Sequence, residues 1–259
     1  MTTWRNLDEE LAAWQEAGRQ PVLWWRDDDA ARASDGLSLL LELRAASDLP
    51  LSLAVVPGLV EDSLEKALGD RQGLSLLQHG YRHENHATPG MKKIELGGTR
   101  STEEILAALE AGKSIGKAVF GRGWLPVLVP PWNRIEDRIV PHLTALGFQG
   151  LSIHGRRRDA FMGLTVVNSH LDILQWKPTV HFLGEAALLT QLTTALRTRR
   201  LEDTPGSEEP CGILTHHQAH DPESWRFLKS LFSHLKQHEV VSWKGAIPLF
   251  CETKRGDEP

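Results

Sequence analysis

Compact apolar runs alternate along the chain with longer stretches whose apolar residues recur every three or four positions. The runs PVLWWR (21–26), LSLAVV (51–56), LSLLQ (74–78), PVLV (126–129), GLSI (150–153), LTVV (164–167), CGILTH (211–216) and EVVSW (239–243) are short and rich in Val, Leu and Ile. That composition suits strands covered on both faces, as in a parallel sheet flanked by helices. Helical spacing occupies 36–46, 61–69, 102–119, 134–146, 184–200 and 222–237, with a further amphipathic helix at about 4–18. Ser101 and Thr102 followed by Glu104 predict the start of the helix over 102–119 through a capping box. Seven or eight such units predict an α/β fold, a closed or nearly closed (β/α) barrel. We expect a single domain over 1–259, with its core at about 20–245, a polar loop over LEDTPGSEEP (201–210) and a frayed C-terminal tail.

The bulk numbers agree with this picture and narrow the partners. A length of 259 residues is ordinary for one α/β barrel. A net charge of -5 gives no support for a nucleic-acid or anionic-membrane partner. The N-terminal stretch MTTWRNLDEELAAWQEAGRQ lacks the basic start and apolar core of a secretory signal, and no window approaches the roughly 18 consecutive apolar residues of a membrane span. The expectation is a cytoplasmic protein without a membrane partner; the oligomeric state is not legible. The two cysteines, Cys211 and Cys251, form no metal-type pair and read as reduced structural thiols.

Chemistry collects where the apolar runs end. In a parallel barrel the functional side chains gather on the loops after the strands. Here those exits read WWRDDDA, QHGYRH, VPPWNR and LTHHQAH. His79 and His83 stand four apart, with Gly80 after the first to permit a sharp backbone departure. Asp27, Asp28 and Asp29 repel one another and need a compensating cation. One aspartate with two histidines makes a three-ligand site that leaves a position open, while a neighbouring aspartate is free to act as base.

These motifs, in this order, resemble the polysaccharide deacetylases, carbohydrate esterase family 4 with its NodB-homology domain, over about residues 20–245. The family's Thr-Phe-Asp-Asp-Gly aligns with Arg26-Asp27-Asp28-Asp29-Ala30, and its His-(Ser/Thr)-x-x-His with His79-Gly80-Tyr81-Arg82-His83. The resemblance implies a distorted (β/α)7-8 barrel with Asp28 as base and Asp29, His79 and His83 as metal ligands; a one-residue shift would choose Asp27 and Asp28 instead. Arg-Pro-Pro-(Tyr/Trp)-Gly becomes Val129-Pro130-Pro131-Trp132-Asn133, which implies an oxyanion and substrate wall at Pro131, Trp132 and Asn133. The family's arginine, which orients the base, is absent, and Arg26 or Arg134 is the candidate substitute. Asp-x-x-Asp-Trp becomes Asp172-Ile173-Leu174-Gln175-Trp176, with Trp176 lining an acyl or sugar pocket, and Leu-x-His becomes Leu214-Thr215-His216. That match implies His216 as general acid, oriented by Asp172. His86 and His217 inherit no family role.

The implied reaction is hydrolysis of an N-acyl or O-acyl group of a carbohydrate or small amide by metal-activated water. Zinc is the first choice of ion, with cobalt, nickel or manganese as alternatives. Two other readings stand beside it: a barrel that binds carbohydrate without cleaving it, prompted by Val129 and Gln175, and a different metal-dependent hydrolase.

Overall fold

Parallel pairing runs through the whole main sheet. The computed structural model describes residues 3–156, 163–202 and 209–251, so residues 203–208 of the expected polar loop and 252–259 of the expected tail lie outside the described residues. Helix α1 (Trp4–Glu16) precedes β1 (Val22–Ala30); then come α2 (Asp35–Ser47), β2 (Leu51–Val55), α3 (Asp62–Leu68), β3 (Leu74–His79), α4 (Thr102–Phe120) and β4 (Trp124–Val129). Beyond these lie β5 (Gly150–Leu151), β6 (Thr165–Val166), β7 (Ser169–Asp172), the pair β8 (Leu174–Gln175) and β9 (His181–Phe182), α5 (Glu185–Leu201), β10 (Cys211–Thr215), α6 (Pro222–Lys236) and β11 (Ser242–Trp243).

The strand order is β6-β5-β4-β3-β2-β1-β10-β7, with β11 beside the start of β1. Ser169 closes the curl by pairing with His154, just past β5, on one side and with Gly212 of β10 on the other. The sheet is therefore a distorted barrel, as the alternation of apolar runs and amphipathic stretches predicts.

Alternation along β1 separates two apolar layers. Leu23 and Trp25 pack outward against the helices with Leu228, Leu231 and Phe232 of α6, whereas Trp24 points inward with Leu77, Val127, Val129 and Phe250. Phe250 meets Trp24 edge-on at 5.9 Å and fills the end of the lumen where the strands begin. Fully burying a large apolar side chain contributes roughly 1.5–3 kcal/mol, so both layers hold the strands in register. The expected capping box is present at the start of α4: Ser101 Oγ accepts from Glu104 N at 3.2 Å, and Glu104 Oε2 accepts from Ser101 N at 2.8 Å.

Two expectations need correction, and one strand was not among them. The stretch 134–146 is not a helix; it folds into turns around a 3-10 segment, Val140–His142. Pro141 removes an amide donor and disfavours the α conformation of the residue before it. The strand expected over 239–243 shrinks to Ser242–Trp243 and lies beside β1 rather than forming a further stave. Strand β7, Ser-His-Leu-Asp, escapes an apolar-run reading because its alternate positions are polar. Cys211 and Cys251 are free thiols, the first buried.

Candidate active site

The rim is assembled at the strand ends. Asp27 is level with Thr215 of β10 and Leu53 of β2, and His79 with Val129 of β4. A regular strand would turn Asp28 and Asp29 to opposite faces. Asp29 instead has φ 73°, and the β1–β2 register shifts between Asp27 and Ala30. This bulge brings the second carboxylate to the rim beside the first, while Asp27 stays on the outer face.

Asp29 Oδ1 lies 3.1 Å from His79 Nε2 and 3.2 Å from His83 Nε2. The ligand-type atoms of these three residues all lie within 4.8 Å of one another. His79 Nδ1 sits 3.0 Å from the carbonyl oxygen of Val129, which can only accept, so Nδ1 carries a hydrogen and Nε2 presents a lone pair in the neutral ring. A lone pair and a buried carboxylate oxygen facing each other call for positive charge between them, a proton on Nε2 or a metal ion. Asp29 Oδ1 has no hydrogen bond of good geometry. The donor set fits a borderline divalent ion held by Asp29, His79 and His83.

The electrostatics carry the same message. Burial alone would raise the Asp29 pKa, but the close contact and charge of His79, with His216 and His83 nearby, pull it well below the usual carboxylate range. For His79 burial works downward, yet the contact with Asp29 and the charges of Asp28 and Asp29 leave its pKa raised. His83 is lowered, by burial and by the like charge of His79.

The loop between the two imidazoles is fixed by a residue that motif reading passes over. Glu95, 1% exposed, accepts from Tyr81 N at 3.1 Å and from Arg82 N at 2.7 Å. Gly80 adopts φ +55°, and a Cβ there would fall 2.0 Å from Glu95 Oε2 and 2.6 Å from the Pro131 ring. Only glycine lets the chain turn this tightly beneath the Pro-Pro-Trp loop.

Of the two candidate substitutes for the arginine absent at Val129, Arg26 reaches Asp28 and Arg134 does not. From two residues before Asp28, it places Nε 2.9 Å from Asp28 Oδ1 and donates from its terminal nitrogen to Oδ2 at 3.0 Å. The same nitrogen also donates to Asn133 Oδ1 at 2.6 Å, and the other terminal nitrogen donates to Ser152 Oγ at 2.6 Å and the Ser152 carbonyl at 3.2 Å. Arg134 is turned away and donates to the Lys93 carbonyl at 2.8 Å.

No family model matches the sequence, and no curated protein matches it. Solved structures do match. The Bc1960 peptidoglycan N-acetylglucosamine deacetylase, in complex with a hydroxamate-type benzamide, superposes with a TM-score of 0.58 at 13% identity, covering 95% of this chain and 99% of its own. A CE4 esterase from Streptococcus mutans gives 0.58 at 12% identity, with coverages of 91% and 90%. A family 4 acetyl xylan esterase from Clostridium thermocellum, in complex with a cobalt ion, gives 0.53 at 13%, with coverages of 88% and 89%. The chain has the fold of the family 4 carbohydrate esterases.

On that family 4 fold the remaining motif residues take distinct places. Trp132, at φ 55°, stacks at a tilt on His83 with ring centroids 4.3 Å apart, and its turn is tied by Asn133 N to the Pro130 carbonyl at 2.9 Å. His216 is 8% exposed and meets the Trp176 ring edge-on at 4.6 Å. Asp172 does not orient His216 directly, as the motif match had implied. It accepts from Leu174 N at 3.0 Å and from Trp176 Nε1 at 2.6 Å, and the indole it holds is the one that meets His216. Gln175 turns to the Lys177 carbonyl at 3.0 Å. His86 lies farther along the loop, where its backbone bonds Ile94 and Thr99.

Asp27 and His217 form a separate pair behind the rim. His217 Nδ1 lies 2.5 Å from Asp27 Oδ1, and Asp27 Oδ2 accepts from His217 N at 3.0 Å and Thr215 Oγ1 at 2.6 Å. Both side chains are 0% exposed. Burial pushes the Asp27 pKa up and that of His217 down, but their mutual attraction reverses both, leaving Asp27 lowered and His217 raised. The pair fastens the loop that carries His216. His220 completes it by accepting from His216 N at 3.2 Å; burial and the neighbouring histidines lower its pKa to about 4.

Proposed function

We propose that the protein is a metal-dependent deacylase that removes an acetyl-type group from the nitrogen or oxygen of a carbohydrate or related small molecule. The convergence of Asp29, His79 and His83 beside an Arg26-gripped Asp28 carries this reading. Solved neighbours on the same fold are named acetyl xylan esterase and peptidoglycan deacetylase, which supports the acetylated-carbohydrate class. Asp29, His79 and His83 would hold a divalent ion, zinc first, which would supply Lewis-acid chemistry by making water more acidic and polarising an acyl carbonyl.

The chain's own residues do the rest. Asp28 accepts the proton of the attacking water, with Arg26 supplying the countercharge and Asn133 and Ser152 fixing the guanidinium. The backbone N–H of Trp132 faces the developing oxyanion, a contribution of about 2.7–4 kcal/mol for one such donor. As the acyl carbon–nitrogen or carbon–oxygen bond breaks, His216 gives a proton to the departing amine or alkoxide, which is typically worth roughly a hundred- to ten-thousand-fold in rate. Pro131, Trp132 and Trp176 wall the pocket for the sugar.

The test is acetate release from a panel of N- and O-acetylated sugars by wild type, chelator-stripped protein and Asp28→Asn. Release that is lost on stripping, restored by zinc or cobalt and abolished in Asp28→Asn supports the proposal. A second reading, a barrel that binds sugar without cleaving it, draws on Val129 and Gln175 and on a solved neighbour described as a family 4 pseudoenzyme with restored activity. Retained metal with no release on any substrate would decide for it.

A further inference from the structure

A second Asp/His/His cluster lies on the outer helices. His234 Nε2 is 2.6 Å and His238 Nε2 3.1 Å from the same oxygen, Asp8 Oδ1. The three ligand-type atoms lie within 4.8 Å of one another, as at the rim, and these are the two such groups among the described residues. We propose that Asp8, His234 and His238 form a second site for a borderline divalent cation such as zinc, one that clamps α1 onto α6.

Several independent features point to an ion there. His234 lies in the last turn of α6 and His238 just past its end, and the chain's exit there brings their rings to 5.1 Å between centroids, both aimed at Asp8. Ring contact with Trp4, at 4.8 Å between centroids, fixes the His234 plane, and Trp4 is itself packed on Phe227 of α6. The cluster sits where α6 ends, and the negative end of a helix dipole favours a cation. Its side chains are 24%, 29% and 44% exposed, so an ion can enter and keep a water in its open position.

Its place in the fold sets its role. His238 lies four residues before β11, which pairs with the start of β1, so the cluster is at the end of the barrel opposite the catalytic rim. α1 already reaches α5 through Glu10, which binds Arg197 and Arg200 at 3.1 and 2.8 Å. An ion on Asp8 adds the corresponding tie to α6. The effect is on stability of the N-terminal helix and not on turnover.

The test is zinc titration of chelator-stripped full-length protein against a chromophoric competitor, with Tm followed in parallel. Asp29→Asn isolates the new site and is expected to bind one equivalent, raising Tm by about 5–10 °C at a hundredfold excess over Kd. Adding Asp8→Asn, or separately His234→Gln with His238→Gln, removes that equivalent and the Tm rise, while circular dichroism stays that of wild type. The proposal is overturned if Asp29→Asn binds no zinc, or if the added substitutions leave its binding unchanged. Should the rim alone fail to hold metal, wild type binds one equivalent that Asp8→Asn abolishes, so the two sites fail distinguishably.

Discussion

Arg26 and Asp28 stand two residues apart on one strand and meet through two close contacts, 2.9 and 3.0 Å, with neither side chain more than 1% exposed. An i, i+2 pair on a strand shares a face, so the cation that the Pro-Pro-Trp loop lacks is supplied from the strand that carries the acid itself. Ser152 holds the other terminal nitrogen and Asn133 shares the one that reaches Asp28, tying β1 to two loops of the rim.

Replacing Arg26 by Met is expected to lower kcat/KM by roughly a hundred- to ten-thousand-fold, the range of a lost general base. It also leaves the buried Asp28 without a partner, at a cost of about 3–5 kcal/mol in urea unfolding. Arg134→Met, which touches only the Lys93 carbonyl, is expected to leave turnover near wild type. Equal effects of the two substitutions would remove Arg26 from the site.

Glu95→Gln keeps the shape but weakens the carboxylate that receives two loop amides. Outer partners of metal ligands typically contribute roughly 10- to 100-fold in metal affinity, and a loss in that range is expected by competitive zinc titration. Gly80→Ala, which drives a Cβ onto Glu95, should destabilise the fold as well as the site.

Trp176→Phe retains the ring edge on His216 but removes the donor to Asp172. A hydrogen bond to a charged group is worth about 1.5–3 kcal/mol, so kcat should fall roughly ten- to hundredfold with KM little changed. Trp176→Ala removes the wall too and should raise KM. A change confined to KM in the Phe variant would deny the relay from Asp172 to His216.

Asp27→Asn tests the pair behind the rim through pH. The lowered Asp27 contributes stability above its ordinary value of 3.8, lost as pH falls through its depressed folded value. The raised His217 contributes below its ordinary 6.5, lost as pH rises through its folded value. The gap in unfolding free energy between wild type and Asp27→Asn should therefore be widest between pH 3.8 and 6.5, about 3–5 kcal/mol, and narrow on both sides. A gap that does not vary with pH rules out a charged pair.

Much of this site was legible because its chemistry is local. The His79/His83 spacing, the acidic triplet and the apolar strands that precede them are all short-range patterns. What was not legible depends on contacts between distant segments. Nothing near Glu95 in sequence says that its carboxylate will meet the amides of Tyr81 and Arg82, and the choice between Arg26 and Arg134 turns on where Ser152 and Asn133 come to rest. The register of the aspartates needed the bulge at Asp29, a backbone property invisible in side-chain type. The helix expected over 134–146 had apolar residues at helical spacing but carried Pro141 within it. Strand β7 is recognisable only once β10 and His154 flank it.

The order of the staves has a kinetic side. β1 finds one neighbour, β2, within a short stretch of chain, but its other neighbour, β10, must arrive from far downstream; Asp27 and Thr215 are 188 residues apart. Loop closure over that separation is entropically costly and slow. The early strands can thus line up while synthesis continues, yet the rim that carries Asp28 gains His216 only once β10 has arrived, which makes the candidate site one of the last features this chain assembles as it folds.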